Sequence, residues 1–266
     1  HHHYDEIQHM TGDKLYKYYK SNRENIILGG VSATPFTNTE STEKLEYLFK
    51  GCGPTGNCLL SDVTIQQAID EKVINDFKIS VHYTENLNDI ITCIKEKVKE
   101  RQRNNMFKKK KFIICVPGSR KEKDNFIKNL REHCPDWVIY EDYDEKLFRD
   151  LQAVNTSVLV TCRKCRIGWD ARGVEFSVCV GNSAIYIYIQ LKGRADRNDY
   201  PDQLSELLIF NAINKDKDFE LEYCELRTKL LKKMELTEED KRINLIKVED
   251  VVREARGEDN VCSPLL

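Results

Sequence analysis

The chain has 266 residues, enough for about two domains or one large one. With 40% hydrophobic and 32% charged residues it can bury a sizeable core, which excludes wholesale disorder. No apolar run approaches the ~20 residues that span a bilayer, and no charged-then-apolar leader opens the chain, so an intracellular, cytoplasmic or nuclear location is expected, without a membrane. The net charge of −2 leaves any affinity for nucleic acid to local basic patches.

In chain order, residues 11–24 read as a short polar helix, and 25–36 as a buried strand running into a loop. Residues 37–63, rich in Gly, Thr, Asn and Ser, read as a connector, and 64–74 as a helix. From Phe77 a β/α alternation begins. Phe77, Ile79, Val81 and Tyr83 alternate as in a half-buried strand. Leu87, Ile90, Ile91, Ile94 and Val98 take helical spacing over 86–103. Four lysines, Lys108–Lys111, lead into a strand at 112–116, and a helix carries Phe126, Ile127 and Leu130. Short strands follow at 137–140, 157–161 and 176–180, then a helix near 184–192 and a strand at 204–210. Strands alternating with helices predict an α/β fold, a mainly parallel sheet covered on both faces. Beyond 215 come charged helices; Thr237 with Asp240 resembles an N-cap box.

Ten cysteines are too dilute for a disulfide scaffold, and several sit in apolar runs, so reduced buried thiols are expected. The Cys162/Cys165 pair lacks a second pair at matching spacing, and no metal site is expected.

The densest chemical signal is Gln190, Gly193, Arg194 and Arg197 in QLKGRADR. Two arginines three apart on one helical turn point the same way, each with a planar fork that matches phosphate oxygens. A glycine before the first lets a ligand approach the backbone. The plain alternative is a solvated basic helix segment. Upstream, a strand ends at Thr161 and a basic loop reaches Gly168, Trp169 and Asp170; loops at the carboxyl ends of parallel strands are where ligands bind. Trp169 either stacks on a base or packs under its loop. Further upstream, Ser32-Ala33-Thr34 follows another apolar strand.

These elements, in this order, resemble the superfamily 2 helicases and translocases. Ser32-Ala33-Thr34 matches motif III, and Phe112 to Arg120 fits motif IV. Thr161, Gly168 and Asp170 match motif V, and Gln190, Gly193, Arg194 and Arg197 match motif VI. The resemblance implies RecA-like lobes: the tail of a first lobe over 1–60, a second lobe over 61–215, and a C-terminal helical extension over 216–266. It implies ATP with Mg2+, held mainly by a first lobe. Arg194 and Arg197 would act as arginine fingers assisted by Gln190, with Gly168, Asp170 and Gly193 beside the nucleotide. Thr161, Pro117, Gly118, Ser119 and Arg120 would touch a DNA or RNA backbone. Ser32, Ala33 and Thr34 would couple the two sites.

The chain departs from that pattern. It has no GxxxxGK[ST]; the run Gly51-Cys52-Gly53-Pro54-Thr55-Gly56-Asn57 lacks the lysine and reads as a turn-rich connector. No Asp-Glu box is recognised before Ser32. His1-His2-His3 reads either as a purification tag or as the end of a truncated box with His1 as its histidine. The chain is therefore expected to be part of a longer motor and inactive alone. The basic residues around 163–172 and 192–197 are expected to share one rim of the sheet, gripping backbone without reading bases. The rival readings are the motor of a restriction endonuclease and a non-catalytic nucleic-acid-binding scaffold. The abundance of Lys, Asn, Ile and Tyr suggests an AT-rich source such as a large DNA virus or a protist.

Overall fold

The computed structural model describes residues 2–5, 10–22, 28–31, 39–49, 63–106, 108–162, 173–196, 203–212 and 218–257. The chain divides into two compact units, His1–Thr64 and Ile65–Leu266.

In the first unit, β1 (His2–Asp5) runs parallel to β2 (Leu28–Val31), with Asp5 opposite Val31. Two helices, α1 (Asp13–Asn22) and α2 (Thr39–Phe49), accompany them. Leu45, Leu48 and Phe49 of α2 are buried with Met10 and Tyr19. The expected connector is thus partly helical: Leu45, Leu48 and Phe49 lie at i, i+3 and i+4, one helical face.

The second unit opens with α3 (Ile65–Asp70) and is built on a seven-stranded, all-parallel sheet. Its strands are β3 (Phe77–Tyr83), β4 (Lys111–Cys115), β5 (Val138–Tyr140), β6 (Ser157–Thr161), β7 (Phe176–Val180), β8 (Ser205–Asn211) and β9 (Ile243–Leu245). Their order is β5-β6-β4-β7-β8-β3-β9. Parallel strands need crossovers, and helices supply them. On one face lie α4 (Leu87–Arg103), α5 (Arg120–His133) and α9 (Val248–Ala255). On the other lie α6 (Glu145–Asp150), α7 (Ile185–Ala195) and α8 (Phe219–Lys233). Strand side chains alternate between the two cores: Ile113, Cys115, Leu159 and Cys179 face one, Phe112, Ile114, Val158 and Val178 the other.

Three expectations change. Strand β3 is not half-buried, because α4 and α9 cover its polar face as well; Ser80 and His82 are buried. Thr237 and Asp240 form a turn, Asp240 N donating to Thr237 O, and no helix starts there. The C-terminal segment is not helical throughout: β9 extends the sheet beside β3. The described cysteines, Cys93, Cys115, Cys134, Cys162, Cys179 and Cys224, are free thiols, four of them buried.

Candidate nucleotide-facing and nucleic-acid-facing sites

At the carboxyl edge of the sheet, β4 runs out through Val116, Pro117 and Gly118 into the first turn of α5. A capping box closes that turn: Glu122 N donates to Ser119 Oγ at 3.2 Å, and Ser119 N donates to the Glu122 carboxylate. The Ser119 backbone N–H, with its hydroxyl second, holds the Glu122 carboxyl below its usual range. A Cβ at residue 118 would overlap that carboxylate, which explains the glycine. Arg120 projects from the same turn with 86% of its side chain exposed. Pro117, Gly118, Ser119 and Arg120 thus form one loop-to-helix corner, with a helix N-terminus suited to phosphate oxygens.

Thr161 ends β6 at the same edge but is fully buried, and its hydroxyl donates to Asp142 at 2.5 Å. Asp142 also accepts from the buried Lys123 at 3.1 Å. Burial works against the Lys123 charge, but the bond to Asp142 and the nearby Glu141 raise its pKa overall. The Thr161 side chain is spent inside the protein, so the expected contact with a nucleic-acid backbone is corrected to a supporting bond under that rim.

Helix α7 presents Gln190, Gly193 and Arg194 on one face and packs Ile187, Tyr188, Leu191 and Ala195 into the core on the other. Gln190 Oε1 is buried without a hydrogen-bond partner among the described residues. A Cβ at Gly193 would meet nothing within 4 Å. The three thus line a surface with room for a polar group.

The last turn of α7 lies at the opposite, amino edge of the sheet, beside the starts of β3 and β8. Asn75 N donates to Asp196 O at 2.9 Å, and Ser205 Oγ donates to Asp196 Oδ1 at 2.6 Å. Lys192 pairs with Asp196, with its ammonium 3.8 Å from the Phe77 ring centroid. Burial pushes the Asp196 carboxyl upward, against the pull of Lys192 and Ser205. This corrects the expectation that Lys192 lies on a basic rim: it is 3% exposed and belongs to the interior. The basic residues at 163–172, expected to share that rim, lie outside the described residues. In a right-handed β-α-β crossover the helix returns antiparallel to its strands, so its end reaches the strand starts.

The lysine run is likewise not a uniformly solvated face. Lys111 is buried, donating to the Arg149 and Leu151 carbonyls at 3.2 Å each, and Lys110 donates to Val154 O at 2.6 Å.

His1, Ser32, Ala33, Thr34, Gly168, Trp169, Asp170 and Arg197 lie outside the described residues. His2 and His3 of β1 pair with Leu28 and Gly29 of β2, and the sequence carries an acidic pair there, Asp5 closing β1 and Glu6 next along the chain. Sequence reasoning missed it. The signal was present: an acidic pair directly after a short run, ahead of Ser32. Parallel pairing brings Asp5 level with Val31, one residue before Ser32. Among the described residues no group of three or more His, Cys, Asp and Glu converges.

No family model and no curated protein sequence matches the chain. Solved structures do. The DEAD-box helicase Mss116, bound to single-stranded RNA and UDP-BeF, is 17% identical with a TM-score of 0.61, covering 95% of this chain and 50% of that one. Dbp5 of S. cerevisiae, bound to RNA and ADP BeF3, is 13% identical with a TM-score of 0.58, covering 96% and 61%. The fold is RecA-like. Mss116 and Dbp5 share this fold. The ATP-dependent Type ISP restriction-modification enzyme LlaBIII, bound to DNA, shares it too, at 12% identity and a TM-score of 0.56, covering 96% of this chain and 22% of that one. The chain thus spans a fifth to three fifths of the length of these structures. Among the described residues no helix is long and apolar enough to cross a membrane.

Proposed function

We propose that the chain is part of an ATP-dependent nucleic-acid helicase or translocase. Its α7 face supplies arginine fingers to a triphosphate held by the other lobe. The observation that carries this reading is the shared face of Gln190, Gly193 and Arg194, continued in sequence by Arg197, on a helix whose last turn is fixed by buried polar contacts. Guanidinium groups held there stabilise charge on a transferring phosphoryl group without reorganising. Asp5 and Glu6 are the carboxylates suited to Mg2+, which when bound neutralises phosphate charge. The Pro117–Arg120 corner grips a DNA or RNA backbone, so affinity falls with salt. Ser32 and Thr34, following β2, couple nucleotide state to that grip.

Arg194→Ala and Arg197→Ala, made separately in the intact two-lobed protein, are each expected to lower nucleic-acid-stimulated ATP turnover by about 10³-fold. Nucleic-acid binding should persist. A scaffold would show no change. The 266 residues alone, lacking a phosphate loop, are expected to hydrolyse ATP barely above background. Robust stimulated turnover by them would overturn their dependence on a separate phosphate-binding segment. The likeness to LlaBIII keeps the restriction-endonuclease motor as a second reading. A nuclease activity in the intact protein, lost on mutating acidic residues outside these 266, would establish it.

A further inference from the structure

We infer that Lys192, Asp196 and Ser205 form a positioning device for Arg194 at the end of α7. This inference rests on the arginine-finger reading above. Residue 196 lies between the two arginines, two positions after Arg194 and one before Arg197. It is fixed on three sides. Its carboxylate is held by Lys192 from one turn earlier in α7 and by Ser205 Oγ at 2.6 Å from the first residue of β8. Its carbonyl accepts Asn75 N at 2.9 Å, from the segment leading into β3. Asp196 is 5% exposed, Lys192 3% and Ser205 2%, so water does not compete for these bonds.

A buried ion pair is a costly way to hold a helix end. An apolar pair of similar volume commonly does as well or better for stability. What the polar set provides is direction. A carboxylate held by a lysine from one side and a hydroxyl from another has one orientation, and the turn of α7 leading into it is set accordingly. Arginine fingers need that, because a misplacement of about 1 Å costs about 10²-fold in rate. Lys192, Asp196 and Ser205 act through Arg194 and touch no phosphate themselves.

The test uses the intact two-lobed protein, following ATP turnover with saturating nucleic acid. Ser205→Ala removes one bond and keeps the ion pair. Lys192→Met with Asp196→Leu replaces the pair by apolar groups that pack. Both variants should lower kcat about 10- to 100-fold with little change in KM for ATP, at temperatures well below their own Tm. Adding Arg194→Ala to Ser205→Ala should cost far less than the product of the two single effects. Full kcat in both variants, or multiplicative loss with Arg194→Ala, would reduce the set to a stability feature and overturn the inference. If Arg194→Ala and Arg197→Ala themselves leave turnover intact, the arginine-finger reading fails, and this one with it. If those two abolish turnover while Ser205→Ala and the apolar pair do not, this inference alone fails.

Discussion

Two buried titratable side chains of the second unit work against each other. Glu175 is pushed up to about 7 by burial, although Lys109 N donates to it at 2.5 Å and Arg101 is near. His82 is pulled down to about 4 by burial and by Lys97 and Lys78, its ring stacked on Phe210. A raised carboxyl binds its proton more tightly in the folded state. Its contribution is complete below its ordinary value of 4.5 and is lost as pH rises toward 7. A depressed histidine does the reverse: its contribution is complete above 6.5 and is lost as pH falls toward 4. Each amounts to about 3 kcal/mol, so between pH 4.5 and 6.5 they nearly cancel. In urea unfolding, Glu175→Gln should therefore show stability rising with pH across that window. His82→Leu should show it falling. Parallel pH profiles for both variants would refute the pairing. Neither shift was legible in the sequence, where His82 is a polar residue on an alternating strand. Burial of that face depends on α9, which is distant along the chain.

Helix ends are where local sequence and tertiary placement meet. The α5 cap is written locally as Ser119 followed three residues later by Glu122, with Gly118 leaving space for the returning carboxylate. Gly118→Ala should displace Glu122, break the box and cost about 1 kcal/mol. Glu122→Ala should cost a similar amount, and the double variant little more than either single one. Thermal unfolding of the three variants checks this, and full additivity would count against the box. The end of α7 follows a different logic. Lys192 and Asp196 are four apart, so their pairing was readable as a helical neighbour contact, but as a surface one. Only the packing of α7 over Phe77 and Ser205 turned it inward. Helix α2 was legible in Leu45, Leu48 and Phe49 but was masked by the polar residues around it. The pairing of β1 with β2 shows another limit, since it is a contact between segments more than twenty residues apart.

At the scale of the second unit, the sheet is enclosed by both cores, and its C-terminal residues are part of the enclosure. Strand β9 covers the β3 edge, and α9 places Val248, Val251 and Val252 against the α4–α5 face. Ending the chain at residue 242 removes these contacts and opens the polar face that holds His82 to water. Tm is expected to fall by about 10–20 °C, measured by circular dichroism. An unchanged Tm would mean that the last elements only decorate the fold.

Period-two and period-3.6 apolar patterns, together with the motif VI spacing, settled the alternation of strands and helices and marked the arginines. Those are local properties, carried by neighbours along the chain. Strand order, the edge at which each loop emerges, and the difference between a lysine in solvent and one in the core were decided by tertiary structure. They depend on which distant segments meet, because burial and charge pairing are properties of a place in the fold rather than of a residue type.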